Sequence, residues 1–177
     1  MHVLSRRIGA VLVGALIVMA LALTMSARAD AATTKVEIAV KAKIKGLNGQ
    51  VFSNQVMNPR ASFAMTGTSN PNSDLKTFIK EDVGQAARYR WSFAPDKCLT
   101  GTLGSPHITM KTCIPFAADQ LWTQGFSGGL FREFRNVKTG RVATAQDTKS
   151  HNGTSYAEVI ADAFFGDDRQ LWQVRPV

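Results

Sequence analysis

Cysteine and histidine are scarce in this sequence of 177 residues, which holds two cysteines and three histidines. A zinc site takes about four Cys, His or carboxylate ligands at close spacing. Only His107 and His151 lie beyond the N-terminal region, and neither stands in a Cys/His cluster. We therefore expect no metal site and no cofactor.

The same scarcity bears on catalysis. A Ser-His-Asp arrangement would need His107 or His151 as its base, and neither residue lies near a predicted strand-turn-helix nucleophile elbow. Both histidines are interpreted as surface loop residues. The sequence therefore predicts a protein that is not an enzyme.

Charge is absent from residues 8–23, an apolar run that follows two arginines. A basic start, an apolar run and the small-x-small sequence Ala27-Arg28-Ala29 are the three zones of a secretory signal peptide. The alternative is an uncleaved anchor, but sixteen apolar residues fall short of the roughly 20 that span a bilayer. We predict a signal peptide over residues 1–31 and a secreted protein, extracellular or periplasmic, with no stable membrane span after cleavage.

Removal of residues 1–31 takes away three arginines and one aspartate and leaves 146 residues with a formal charge of +6. This is the size of one domain. Two cysteines in an exported chain favour a disulfide, and Cys98 and Cys113 are fifteen positions apart. The alternative is a pair of free buried thiols. We predict the Cys98–Cys113 disulfide.

Apolar residues alternate with charged ones between residues 36 and 44, which predicts a strand with one wet, basic face. Short apolar runs separated by turn residues follow, and only residues 155–165 leave a helix open. Many short strands with frequent turns indicate an all-β barrel or sandwich. We assign residues 32–50 to an N-terminal extension with a strand, and residues 51–177 to the main domain.

An internal repeat narrows this choice. The three tryptophans close similar segments, and two of them share a Gln-Leu-Trp flank. A second shared segment lies 27, 24 and 30 positions before each tryptophan. The pairs of segments are Ala64-Met65-Thr66 with Trp91, Cys98-Leu99-Thr100 with Trp122, and Val142-Ala143-Thr144 with Trp172.

Three such units around a pseudo-threefold axis can close a barrel and cap it, which is the β-trefoil fold. Each tryptophan would then fill the core of its own lobe and find a partner for its indole N–H. The alternative, direct contact of these tryptophans with a ligand, is the weaker interpretation. The predicted lobe-core residues are Trp91, Gln120, Trp122, Gln170 and Trp172.

The second lobe resembles the ricin-B-type lectin family, whose lobes carry a Cys-Leu pair, a later Cys and a Gln-x-Trp motif. Cys98-Leu99, Cys113 and Gln120-Leu121-Trp122 stand in that order. The third lobe keeps the Gln-x-Trp motif and a matching entry segment at residues 134–140 but lacks the Cys pair, and the first lobe keeps little beyond Trp91. Within the family, residues 96–101 and 110–113 look most like the ricin-like cell-binding subunits of cytolethal distending toxins.

The resemblance implies a sugar site that combines a carboxylate, a stacking ring and an Asn in a lobe. Threonines replace the carboxylates, and Lys111 stands near the stacking position of the second lobe. No lobe keeps the full set, so ordinary galactose binding is not expected. The replaced carboxylate positions are Thr66, Thr100 and Thr144, and the replaced Asn positions are Arg88, Asp119 and Arg169. The candidate ligand-binding residues are Thr100, Lys111, Asp119, Thr144 and Tyr156.

Two further surfaces are candidates. Four lysines near residues 35–45 would attract sulfated or sialylated glycans, acidic partners or an anionic membrane, unless they form only a solvated strand edge. Tyr156, Phe164 and Phe165 form either a contact patch or part of the core. Nucleic acid is not an expected partner, because the basic residues lack interleaved aromatics and the chain carries an export signal.

These observations favour a secreted, non-enzymatic β-trefoil that binds a cell-surface glycan or glycolipid. The resemblance implies a subunit of a toxin assembly, with a nuclease-like catalytic chain and a sister β-trefoil as partners. The alternative is an inhibitor or interaction trefoil, for which residues 101–107 would be the inserted loop.

Overall fold

The structure is a computed structural model that describes residues 33–45, 47, 51–53, 63–66, 75–125, 129–151 and 154–177. The predicted signal peptide and its cleavage point lie outside the described residues. Short 3₁₀ turns at Ala118–Gln120 and Asp168–Gln170 precede two of the strands. In chain order the described strands are β1 (Thr33–Val40), β2 (Val51–Ser53), β3 (Phe63–Thr66), β4 (Thr77–Val83), β5 (Ala86–Trp91), β6 (Ala94–Gly101), β7 (Ile108–Thr112), β8 (Leu121–Gln124), β9 (Arg132–Asn136), β10 (Val142–His151), β11 (Thr154–Asp162) and β12 (Leu171–Pro176).

Six of these strands close a barrel. The antiparallel pairs run β1–β4, β4–β5, β5–β8, β8–β9, β9–β12 and back from β12 to β1. The other six form the hairpins β2–β3, β6–β7 and β10–β11, one for each lobe. Three repeats of four strands around one barrel are a β-trefoil, so the predicted fold is confirmed. Residues 154–162, where the sequence leaves a helix open, form a strand instead.

The strand that the sequence places in an N-terminal extension lies in the barrel wall. β1 pairs with β12 on one side and with β4 on the other, and its apolar residues Val36, Ile38 and Val40 are buried. β1 ends at Val40 although the alternation continues to residue 44. The backbone N–H of Lys41 still donates in register to the carbonyl of Leu171 (2.8 Å), but that of Ala42 donates to the carbonyl of Asp168 (3.2 Å), which breaks the pairing with β12.

The strand register shows which residues are equivalent in the three lobes. Phe78 pairs with Val36 as Trp122 pairs with Ala87 and Trp172 with Arg132. Phe78, and not Trp91, therefore occupies the position of Trp122 and Trp172 in the first lobe. Trp91 is 8% exposed and belongs to the core, but it closes β5 as Val40 closes the equivalent part of β1.

The core inside the barrel is aromatic. Trp122 stacks on Phe134 with ring centroids 4.8 Å apart, and Tyr89 meets Phe134 edge-on at 5.1 Å. The indole N–H of Trp122 donates to the carbonyl of Leu99 (2.9 Å), which ties the barrel to the hairpin of the second lobe. Trp172 makes the same bond to Ala143 (2.7 Å) in the third lobe. These two tryptophans therefore act as core residues, each with its polar atom satisfied.

The predicted disulfide is confirmed. Cys98 in β6 is bonded to Cys113, and their Cα atoms are 5.0 Å apart. Cys98 lies opposite Lys111 in the β6–β7 ladder, so the bond closes the open end of this hairpin. Disulfides persist in oxidising compartments, which agrees with the predicted export.

Candidate functional site

A buried glutamine holds an exposed loop in the second lobe. Gln120 accepts a hydrogen bond from the backbone N–H of Ile114 (2.8 Å) and donates to the carbonyl of Thr112 (2.8 Å). It is 2% exposed. The side chain thus fixes the chain between β7 and β8 from the inside, and the predicted motif residue is a brace.

The third lobe repeats this brace. Gln170 accepts a hydrogen bond from the backbone N–H of Phe165 (2.6 Å) and donates to the carbonyl of Ala163 (2.6 Å). Its amide also donates to the hydroxyl of Thr144 (3.0 Å). The loops before β8 and β12 are therefore held in equivalent ways, with Ile114 and Phe165 in corresponding positions.

Both braced loops carry large apolar side chains into solvent. In the second lobe Ile114 is 58% and Phe116 82% exposed. In the third lobe Phe164 is 39% and Phe165 73% exposed. Single exposed apolar residues are common, but the same loop carries a pair of them in two lobes. We call residues 114–116 and 164–165 the apolar loops.

Charged groups flank these loops. The guanidinium of Arg135 lies over the ring of Phe164, 5.9 Å from its centroid, in the range of a cation–π contact. In the second lobe the Asp119 carboxylate lies 3.9 Å from the ammonium of Lys138. The third-lobe loop thus has a ring with a cation beside it, and Arg135 also pairs with the carboxylate of Glu133 (2.6 Å). The second lobe has a carboxylate with a cation beside it, next to Gln120.

The two candidate threonines are not available to a ligand. Thr100 is fully buried, and its hydroxyl donates to the carbonyl of Cys98 (2.9 Å). Thr144 is 8% exposed, and its hydroxyl donates to the carbonyl of Val142 (3.3 Å) while it accepts from Gln170. Both hydroxyls are satisfied inside the lobe. The register also places Ser53, and not Thr66, in the corresponding position of the first lobe.

The other candidates lie at the surface but do not converge. Lys111 is exposed on β7, and its ammonium is 3.4 Å from the hydroxyl of Thr102. Asp119 is partly exposed beside Ile114. Tyr156 lies opposite Lys149 on the β10–β11 hairpin. Thr144 lies opposite Ile160, which is four residues or about 13 Å farther along β11 than Tyr156. The structure therefore brings Asp119 to an apolar loop and leaves Tyr156 apart.

The lysines of the predicted basic face separate. Lys35 lies on β1, whereas the other three follow the end of that strand. The ammonium of Lys41 pairs with the carboxylate of Asp168 (2.8 Å), and Lys43 and Lys45 are exposed. Exposed pairs of this kind contribute little to stability. Lys41 is thus neutralised by a carboxylate.

The loop between β6 and β7 is anchored to the third lobe. The carbonyl of Pro106 accepts from the backbone N–H of Ala161 (2.6 Å), and the His107 imidazole lies 3.2 Å from the Glu158 carboxylate. Glu158 also bonds to the ammonium of Lys149 (2.5 Å), a bond that raises the pKa of Lys149. Leu103 at the tip is 61% exposed.

Two features are absent from the described residues, a metal-binding cluster and a membrane-spanning helix. No group of three His, Cys, Asp or Glu side chains there is placed to hold a metal ion. In the same part of the chain, no helix has the length and apolar character that a membrane crossing requires.

Sequence reasoning missed Ile114 and Phe116. A signal was present, because alignment of the two lobes on Gln120 and Gln170 puts Ile114-Pro115-Phe116 beside Phe164-Phe165. What the sequence does not show is exposure, since the same letters could pack in the core. The loops face solvent because the glutamines already fill the space beneath them.

Comparison with solved structures shows the β-trefoil fold. The chain is similar to a designed threefold-symmetric protein, ThreeFoil (TM-score 0.61, 12% identity, 81% of this chain and 99% of that one). It is similar to a chain of the cytolethal distending toxin of Actinobacillus actinomycetemcomitans (0.60, 15%, 79% and 90%). It is also similar to SeviL, solved with the asialo-GM1 saccharide (0.56, 13%, 82% and 99%). No known sequence family and no curated protein sequence matches the chain.

Proposed function

We propose that this protein is an exported, non-enzymatic β-trefoil that binds a glycan or glycolipid on a target cell and serves as the binding subunit of a toxin assembly. The observation that carries the proposal is the pair of braced apolar loops. A rigid barrel holds aromatic side chains in solvent at equivalent places in two lobes. Such an arrangement costs solubility and is typical of a contact surface.

The chemistry of the loops suits a sugar. A pyranose ring has a C–H face, which packs on an apolar side chain, and a hydroxyl edge, which needs donors and acceptors. Phe116 and Phe165 offer the apolar contact. Asp119 can accept hydroxyl protons, and Arg135 can donate. Lys111 and Tyr156 remain as outlying contacts for a longer glycan, and the buried threonines are left out of the proposed surface.

The similar structures support the biological setting. One is a chain of a cytolethal distending toxin and another was solved with the asialo-GM1 saccharide. At sequence identities of 13–15% the similarity shows the fold, and the shared role is our proposal. The partners would be a catalytic chain and a sister β-trefoil subunit.

Cell binding tests the proposal. The double variant Phe116→Ser, Phe165→Ser removes the two most exposed rings of the apolar loops without touching the glutamine braces, so the melting temperature should change by little. Binding of the fluorescently labelled protein to mammalian cells should fall at least tenfold. Leu130→Ser is the matched control, because Leu130 is 75% exposed but lies outside the apolar loops. Equal binding by wild type and double variant would refute the role of the loops.

The assembly needs its own experiment. The tagged protein is purified from the culture medium of its producer, and co-eluting chains are identified by mass spectrometry. A nuclease-like chain in stoichiometric amount is the expected result. Recovery of the protein alone, with cell binding intact, would contradict the toxin assembly and leave a free-standing lectin.

One observation favours a second candidate, an inhibitor of another protein. Residues 101–107 form a loop that is anchored at its base, with Leu103 exposed at the tip, and a stiff loop of this kind can insert into an active site. Inhibition of a protease panel by the wild type, and its loss in Leu103→Asp, would support this function. No inhibition of any protease at micromolar concentration would count against it.

A further inference from the structure

A cavity opens at one end of the barrel, at a distance from the apolar loops. It measures about 170 Å³ and lies between the end of β4, the turn into β5, and β8. The lining residues are Lys80, Asp82, Gly84, Gln85, Ala86, Ala87, Tyr89, Trp122 and Gln124. The apolar loops precede β8, whereas Gln124 is its last residue. We call this cavity the barrel mouth.

Several of the groups in the barrel mouth lack a protein partner. Tyr89 is 1% exposed, and its phenol has no hydrogen-bond partner among the described residues. The Gln124 amide has none there either. The pKa of Tyr89 is raised by burial and by the Asp82 carboxylate, so the phenol keeps its proton as a donor. The phenol oxygen is not among the fully enclosed unpartnered atoms of the described residues, and Gln124 is partly exposed. Both groups therefore face the open mouth, where a ligand or a water can bond to them.

The pseudo-symmetry shows that the fold does not require these polar groups. Tyr89 corresponds to Ile38 and Phe134 in the other two lobes. In the strand pairing Tyr89 lies opposite Lys80, Ile38 lies opposite Val174, and Phe134 lies opposite Gln124. Gln124 corresponds in the same way to Val174, which packs against the core. The third lobe thus fills both positions with apolar side chains, the second lobe makes both polar, and the first lobe combines the apolar Ile38 with Lys80.

The charge of the barrel mouth is balanced. The Lys80 ammonium lies 2.5 Å from the Asp82 carboxylate, so a net ionic ligand gains little there. Ala87 and Trp122 supply an apolar wall, and the Trp122 indole N–H is already used by Leu99. Donors and acceptors on one side and apolar carbon on the other match a small uncharged polyol.

We propose that the barrel mouth binds one uncharged sugar ring or a polyol of that size, in a site separate from the apolar loops. Its volume is below the roughly 300 Å³ of common drug-sized pockets, which limits the ligand to about one ring. The Tyr89 phenol donates to one hydroxyl, the Gln124 amide bonds to a second, and the carboxylate of Asp82 accepts from a third. The C–H face lies against Ala87.

The test uses substitutions that the fold already contains. Tyr89→Phe copies Phe134, and Gln124→Val copies Val174, so both variants should fold. Binding of methyl β-galactopyranoside, methyl α-glucopyranoside and methyl α-mannopyranoside is measured by ligand-observed NMR titration. At least one glycoside should bind the wild type, and each variant should weaken it by roughly three- to tenfold, the effect of one lost hydrogen bond. Gln173→Val, on the outer side of β12, should leave binding unchanged.

Three results would overturn the proposal. No neutral glycoside binds the wild type, or Tyr89→Phe and Gln124→Val bind as tightly as the wild type, or only N-acetylneuraminic acid binds. The failures of the two proposals are distinguishable. If the loop variant Phe116→Ser, Phe165→Ser loses glycoside binding while Tyr89→Phe keeps it, the barrel-mouth proposal fails and the proposed function stands. If the wild type binds glycosides at the mouth but no cells, the reverse holds.

Discussion

The substitution Gln170→Met tests how the glutamine brace of the third lobe works. Methionine has nearly the length of glutamine and no hydrogen-bonding amide, so the volume is kept and the polar contacts are lost. The backbone N–H of Phe165 and the carbonyl of Ala163 would lose their partner. Thr144 would keep its bond to the carbonyl of Val142 (3.3 Å). Two backbone groups are therefore the expected cost.

The size of the effect follows from their burial. A buried backbone group without a partner costs about 1–3 kcal/mol. Ala163 and Phe165 are both exposed residues, so water can reach both groups once the loop loosens, and the lower part of that range applies to each. We expect a loss of about 1–3 kcal/mol in the free energy of unfolding. For a domain of this size that is a fall of about 3–10 °C in melting temperature.

Urea denaturation gives the free energy, and amide hydrogen exchange gives the local effect. Exchange at Phe165 should accelerate far more than exchange in β9, because the loop opens before the barrel. Gln173→Met is the control, since Gln173 is only half-buried and lies three residues farther along. A loss below about 0.5 kcal/mol, or equal acceleration throughout the barrel, would refute the brace.

Three further predictions follow from the core and the disulfide. The double variant Cys98→Ala, Cys113→Ala should lose about 3 kcal/mol in urea denaturation, from closure of a 15-residue loop; an unchanged midpoint would contradict this. Trp122→Phe should fold, as Phe78 does in the first lobe, but lose about 1–3 kcal/mol because the Leu99 carbonyl is orphaned; equal stability would argue against that bond. In Tyr156→Phe, which leaves Tyr89 as the remaining tyrosine, tyrosinate absorbance should appear only well above pH 10 and together with unfolding. A raised phenol pKa in the folded state means that stability is full below about pH 10 and falls as the pH rises beyond it. Ionisation near pH 10 without unfolding would contradict the raised pKa of Tyr89.

The fold was predictable because the repeated residues are the ones that fill the core of each lobe. A large apolar side chain must fill each lobe, and Trp122 and Trp172 fill two of them with the same flanking letters. The first lobe escaped detection because the requirement is for volume, and Phe78 meets it without a tryptophan. A search for tryptophan therefore selected Trp91, which closes β5 in the next lobe.

The site was less predictable for two physical reasons. Whether a hydroxyl binds a ligand or supports the fold depends on its nearest partner. The hydroxyl of Thr144 accepts a hydrogen bond from Gln170, which is 26 positions away in the sequence. A period of two persists in the sequence beyond Val40, although the backbone N–H of Ala42 donates to the carbonyl of Asp168 (3.2 Å) and no longer follows the register with β12. Both facts depend on tertiary contacts that neither spacing nor composition contains.

A pseudo-symmetric fold offers its own internal control for function. Where all three lobes carry apolar residues in one layer, packing explains the choice, and where a lobe carries a polar side chain instead, packing does not. Val174 shows that the position of Gln124 accepts an apolar side chain, and Phe134 shows the same for Tyr89. The Tyr89 phenol and the partly exposed Gln124 amide bond to none of the described residues, so neither polar group is needed to hold the barrel. Both are therefore available to a bound polar molecule, and the two copied substitutions should change the stability of the free protein by little while they weaken its binding.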